Sequence, residues 1–207
     1  MALVKYNNNS ISAVTSASSI PSGAMTLIKT LTASSSSTLS FVHGNDGVVL
    51  DSTYPIYQFE FINIHSANNN TQFLFNGSID GGSNYNVVKT TTSFRAYHAE
   101  ADNEQDLEYF TSMDLAQSTA FQPLVYYTGD EADSGSSGSM TLYNPSSTTF
   151  VKHFVSRISA NSLGSFEMDF NIAGYFNDGA NDINAVQFKM TSGNFDGKIK
   201  LYGIKDS

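Results

Sequence analysis

The feature that most constrains the fold is a twelve-residue run, Ser165 to Phe176, in which Phe166, Met168, Phe170 and Ile172 alternate with Glu167, Asp169 and Asn171. A period of two turns one set of side chains to a core and the other to water, which is the signature of a half-buried strand. The pattern recurs along the chain. Val186, Phe188 and Met190 alternate with Gln187 and Lys189. Ile199 and Leu201 alternate with Lys198 and Lys200, and Tyr57, Phe59 and Phe61 with Gln58 and Glu60. Gly, Asn, Asp, Ser and Pro separate these runs.

Further strand-like segments are Met25–Ala33, Thr38–Val42, Val48–Leu50, Thr71–Asn76, Tyr85–Lys89, Ser93–Ala99, Leu124–Thr128, Ser139–Tyr143 and Val151–Ser159. About ten to twelve short strands at this spacing predict an all-β fold, a jelly-roll-like two-sheet β-sandwich. The loop SGNFDG predicts a terminal hairpin of Val186–Met190 with Lys198–Ile204, and the turn residues SANNN let Thr71–Asn76 return beside Pro55–His65. Asn103–Gln117, where Leu107, Phe110 and Met113 are poorly spaced for a helical face, is expected to be one short helix or an irregular loop.

Composition bounds the rest. With 207 residues, 15 Phe and 11 Tyr, the chain has enough apolar surface for one core, and no boundary divides residues 23–207. Residues 1–22 differ, being small and polar with the run Asn7–Asn9. They are expected to form an extended N-terminal arm, either docking through Leu3, Val4, Tyr6, Ile11, Val14 and Ile20 or fraying without a role. A net charge of −9 argues against phosphate backbones as partners, so no nucleic acid is expected. No run approaches the about 20 apolar residues that span a bilayer, and the start MALVKYNNNS lacks an apolar signal core, so no membrane is expected either. Cysteine is absent, which removes disulfides and thiolate metal sites.

Candidates for chemistry are sparse. His43, His65, His98 and His153 are far apart in sequence and in no metal-ligand spacing, and no nucleophile elbow accompanies the many serines. The loop FNDGANDIN offers Asn177, Asp178, Asn181 and Asp182 as oxygen ligands for a hard cation, but an Asx-type turn between strands explains the same residues. The run Glu100, Asp102, Glu104, Asp106 and Glu108 could supply a cation site or a carboxylate pair for glycoside hydrolysis, but a solvated acidic face or loop explains it as well, and without any Trp a sugar cleft would rest on Tyr. We therefore expect no catalytic, cofactor or metal site and no enzymatic activity.

The segments Gly23–Gly44, Val48–His65 and Val186–Ser207, the last carrying Lys198-Ile199-Lys200-Leu201-Tyr202-Gly203-Ile204, resemble small proteins encoded in the structural regions of tailed bacteriophages, where a terminal K-[IL]-K-L-Y-G-[IV] strand recurs. The resemblance implies a jelly-roll virion component without enzymatic activity, such as a capsid decoration (cement) protein, head fibre or tail appendage. It further implies a homo-oligomer, expected to be a trimer, anchored by the arm Ala2–Ile20 on the major capsid protein or another virion component. The alternative is a host-recognition or carbohydrate-binding module in which Tyr85, Tyr97, Tyr126, Tyr127 and Tyr175 stack on glycans.

Overall fold

The computed structural model describes residues 24–162 and 165–205. The expected arm, residues 1–22, lies outside the described residues. Twelve strands and no helix are found among the described residues: β1 (Met25–Ser36), β2 (Thr38–Val42), β3 (Ile56–Ser66), β4 (Thr71–Ser78), β5 (Lys89–Ala99), β6 (Gln105–Tyr109), β7 (Gln122–Thr128), β8 (Ser136–Tyr143), β9 (Lys152–Ser162), β10 (Phe166–Phe176), β11 (Ala185–Met190) and β12 (Phe195–Ile204). The all-β sandwich expected from the alternation is present. Val48–Leu50 and Tyr85–Val88 are not strand, and the helix-or-loop segment Asn103–Gln117 instead contains β6.

All strand pairs are antiparallel. Eight strands form two four-stranded sheets, β1-β12-β3-β8 and β2-β11-β4-β7. Neighbours in sequence cross between the sheets: β1 leads to β2, β3 to β4, β7 to β8 and β11 to β12. This is the two-Greek-key order of a jelly roll. The crossings overturn two expectations, because β11 pairs with β2 and β4 while β12 pairs with β1 and β3, so no terminal hairpin forms. For the same reason β4 faces β3 across the core rather than lying beside it. A loop long enough to bridge the sandwich lets each strand bury its apolar face against the opposite sheet, and a tight hairpin cannot do that.

Rings from both sheets meet at Phe188, whose centroid lies 5.3 Å from those of Phe59 and Phe61, 5.8 Å from Phe73, and 6.3 Å from Phe41 and Phe75. Tyr57 is equally buried but its hydroxyl is satisfied, accepting from Asp51 N and donating to Asp51 O, both at 2.9 Å. Ser35 (φ 49°), Gly197 (φ 130°) and Asn63 (φ 49°) sit at one level of β1, β12 and β3, where the register shifts in all three pairings. These aligned bulges bend the sheet over the core. Gly197 is required there, since a Cβ would stand 2.6 Å from Asn63 O.

Two hairpins are inserted into this frame. The β5–β6 hairpin interrupts the path from β4 to β7, and β9–β10 that from β8 to β11. They join as β9-β10-β5-β6 and continue the first sheet outward from β8, making a four-stranded wing. A single bridge, Thr128 to Ser162, ties β7 to β9.

Candidate interaction surface

The wing inherits its faces from the register. Phe154, Ile158, Met168, Phe170, Ile172 and Phe176 point inward, where Phe75 of β4 packs 4.9 Å from Phe154 and 6.0 Å from Phe176. Along β5 and β6 the sense is reversed. Their inward positions are Ser93, Arg95, Tyr97, Asp106 and Glu108, whereas Phe94, Ala96, Leu107 and Tyr109 point outward. Strand pairing sets these groups in rows: Val155, Ala173 and Thr92; Arg157, Asn171, Phe94 and Tyr109; Ser159, Asp169, Ala96 and Leu107. Leu107 is 69% exposed, Tyr109 53%, Val155 49% and Phe94 48%. Large apolar groups gathered on one open face are what a monomer avoids and a binding surface uses.

Arg157 and Asp169 on this face neutralise one another. Arg157 grips Asp169 through Nε and Nη2 at 3.0 and 2.9 Å, and the carboxylate raises the guanidinium pKa further. Glu167 accepts from Ser159 Oγ at 2.7 Å. Shallow open depressions of about 180 to 310 Å³ run along it, lined by Thr92, Phe94, Val155 and Ala173 at one end and by Arg157, Ser159 and Asp169 at the other.

Arg95 supports the surface from below. Its guanidinium lies 3.8 Å from the Phe110 ring, 5.0 Å from Tyr97 and 6.0 Å from Tyr127, and Nε donates to Glu108 at 2.8 Å. Three of the tyrosines proposed for glycan stacking are thereby gathered but already engaged. Tyr97 and Tyr127 flank Arg95, and Tyr126 packs edge-on against Phe110 at 5.2 Å and Tyr127 at 4.4 Å. Tyr175 lies apart, beside His153 at 5.9 Å, and Tyr85 sits in the segment before β5. The structure brings no platform of five rings together.

The remaining candidates are also dispersed. His43 Nδ1 accepts from Leu50 N at 3.1 Å, His65 Nδ1 bonds Ser134 O at 2.8 Å, and His98 pairs with Asp102 at 3.0 Å. Among the described residues no three His, Cys, Asp or Glu side chains cluster in a way that could hold a metal. The acidic run lies on exposed backbone around β6. Its members reach Arg95, Tyr97 and His98 rather than each other.

In the loop of Asn177, Asp178, Asn181 and Asp182, an internal cation takes two backbone oxygens. The ammonium of Lys152, fully buried, donates to the carbonyls of Asp178 and Asn181. Asp178 caps its own turn, accepting from Ala180 N at 3.1 Å and Asn181 N at 3.0 Å, and these bonds help hold its carboxyl below the usual range despite its partial burial. Lys152 has a counterpart in Lys89. Both are paired with Phe176 of β10, one on either side. Lys89 donates to Val87 O at 3.1 Å and Ala120 O at 2.5 Å, and burial lowers its pKa from 10.5 to about 7. Lysine type hides these residues from a composition-based reading. Their position does not, because Lys152 falls in step with Phe154 and Ile158 and the alternation places it inward.

No family model matches the chain, and no curated protein and no solved structure matches it.

Proposed function

We propose that the chain is a non-enzymatic structural protein of a tailed-phage virion, a capsid decoration protein or appendage present in many copies, and that the wing is its attachment element. The observation that carries this is the reversed face of β5 and β6, where Phe94, Leu107 and Tyr109 stand exposed beside a core that is complete without them. The jelly roll supplies a rigid frame, and the two inserted hairpins supply the surface. A fold does not fix a function, but a rigid frame bearing a nearly neutral apolar patch suits docking on another protein better than binding a charged ligand. The internally paired Arg157 and Asp169 at the patch fit the same use, since they bring no net charge into the contact.

Many weak copies on a symmetric lattice bind collectively, so the patch need not be large. The test is incorporation: particles grown with the Phe94→Ser, Leu107→Ser double variant should lack the protein while the purified variant keeps its fold. Normal incorporation of that variant would remove the wing as the attachment element. Absence of the unaltered chain from purified particles would remove the virion assignment itself.

A further inference from the structure

The free edge of β6 is built to receive another strand. β6 pairs only with β5 among the described residues. Bonds from Ala99 N to Glu104 O at 2.8 Å and from Phe110 N to Ser93 O at 2.9 Å fix the phase of the pairing. Backbone groups alternate in an antiparallel ladder, so Gln105, Leu107 and Tyr109 turn their amides and carbonyls away from β5. The Leu107 amide is covered only by its neighbour's carboxylate, Asp106 Oδ1 at 2.7 Å. An edge strand left open in this way is a template for strand addition.

The chemistry of the edge selects the incoming strand. Between Glu100 and Asp114 there are six carboxylates and no Lys or Arg. Asp106 and Glu108 flank Leu107 on one side of the strand, and Leu107 and Tyr109 form the apolar other side. A second β6 would set acid against acid, so self-pairing of this edge is disfavoured. The matching strand has a basic residue between apolar ones. Residues 1–23 contain no Asp or Glu, and their one charged side chain is Lys5, within Leu3-Val4-Lys5-Tyr6.

We infer that residues Ala2–Tyr6 of a second copy of this chain add antiparallel to β6, with Lys5 opposite Asp106, Val4 opposite Leu107, Ala2 opposite Tyr109 and Tyr6 opposite Gln105. A second copy is taken as the donor because residues 1–23 lead into β1, and β1 and β6 are opposite ends of the eight-strand path β1-β12-β3-β8-β9-β10-β5-β6, so that reaching β6 of the same chain would draw the 17 residues between Tyr6 and Ala24 to over half their full reach, whereas copies set edge to edge bring donor and acceptor together directly. That path is about 34 Å wide at the usual strand spacing. A donor at one edge and an acceptor at the other make a head-to-tail contact, the kind that closes into a ring. This rests on the homo-oligomeric part of the proposed function and names the contact that would produce it.

The chain has no cysteine, which permits a clean test with full-length protein. Val4→Cys and Leu107→Cys are made in separate preparations, mixed, and treated with a short thiol-reactive cross-linker, with Ile79→Cys, exposed on a distant loop, replacing Leu107→Cys as control. The expected result is a covalent heterodimer at about ten-fold the control yield, because docking raises the local thiol concentration. Lys5→Glu should remove the excess, and Lys5→Glu mixed with Asp106→Lys on the acceptor should restore it. Yield no higher than control, or cross-linking confined within single chains of a Val4→Cys, Leu107→Cys double variant, overturns the inference. Particles play no part in this assay, so cross-linked protein that never joins a virion would sink the virion assignment alone.

Discussion

The jelly roll and the outer hairpin of the wing, β5–β6, obey opposite rules with the same kind of strand. In β3, β4, β11 and β12 the large apolar groups point inward, and Phe59, Phe73, Phe188 and Leu201 are fully buried. In β5 and β6 Phe94, Ala96, Leu107 and Tyr109 point outward, while inward positions carry Ser93, Arg95, Tyr97, Asp106 and Glu108. One region spends its hydrophobic surface on itself; the other leaves it available. The difference teaches that the direction of an alternation, as much as its presence, separates strands that build a core from strands that leave apolar surface open.

The sharpest way to break this contrast is to truncate one aromatic in each region. Phe188→Ala removes a ring that touches five others from both sheets, and should cost ~3–5 kcal/mol in chemical denaturation. A loss under about 1 kcal/mol would show that the core is looser than its geometry.

The next effect falls where the wing joins the frame. Lys152→Met leaves the carbonyls of Asp178 and Asn181 without their donor, and should cost ~1–3 kcal/mol in the same assay. If the two carbonyls instead recruit a cation, added Ca²⁺ should raise the melting temperature of this variant and not of the unaltered protein.

Lys89, across Phe176, gives a pH signature. Its folded pKa of about 7 lies below its ordinary 10.5, so below pH 7 both states carry the proton and the folded state bears the whole cost of burial. Between about pH 7 and 10.5 the unfolded chain keeps a proton that the folded chain has released. Stability should therefore rise with pH across that window, by at most about 1.4 kcal/mol per pH unit. Lys89→Met should flatten this component of the rise, and an unchanged slope would mean that the amine stays charged inside.

The smallest effect on stability is predicted for the wing surface. Leu107→Ser should shift stability by less than about 0.5 kcal/mol, because the side chain gives up little burial. The same change should abolish attachment, and a large loss of stability would place Leu107 in the core economy after all.

Much of this division was legible in the residues. The alternation in Phe166–Phe176 fixed β10 and its buried face, and the punctuated short runs announced a sandwich. Pairing was not legible, because in a jelly roll the strand beside a given strand is distant in sequence; the adjacency of Met190 and Phe195 suggested a hairpin that the crossing between sheets forbids. β6 was missed because its alternation runs acidic against apolar with the apolar side outward, which looks like a failed helix when a core is being sought. Among the candidate residues, the Asn177–Asp182 loop reads as an Asx-type turn in preference to a cation site of side-chain oxygens, and Asp178 does cap its turn, but the backbone carbonyls of Asp178 and Asn181 also meet a cation. That the cation is Lys152 could have been read from the inward phase of β9.

The central claim is that the jelly roll holds the fold while the wing holds the partner. For the virion protein proposed above, a cryo-electron-microscopy map of purified phage particles tests it most directly. The account predicts density for this sandwich with the outer face of β9-β10-β5-β6 against neighbouring protein and the small sheet β2-β11-β4-β7 turned away. A map in which the wing faces solvent and the jelly roll makes the contacts would contradict it.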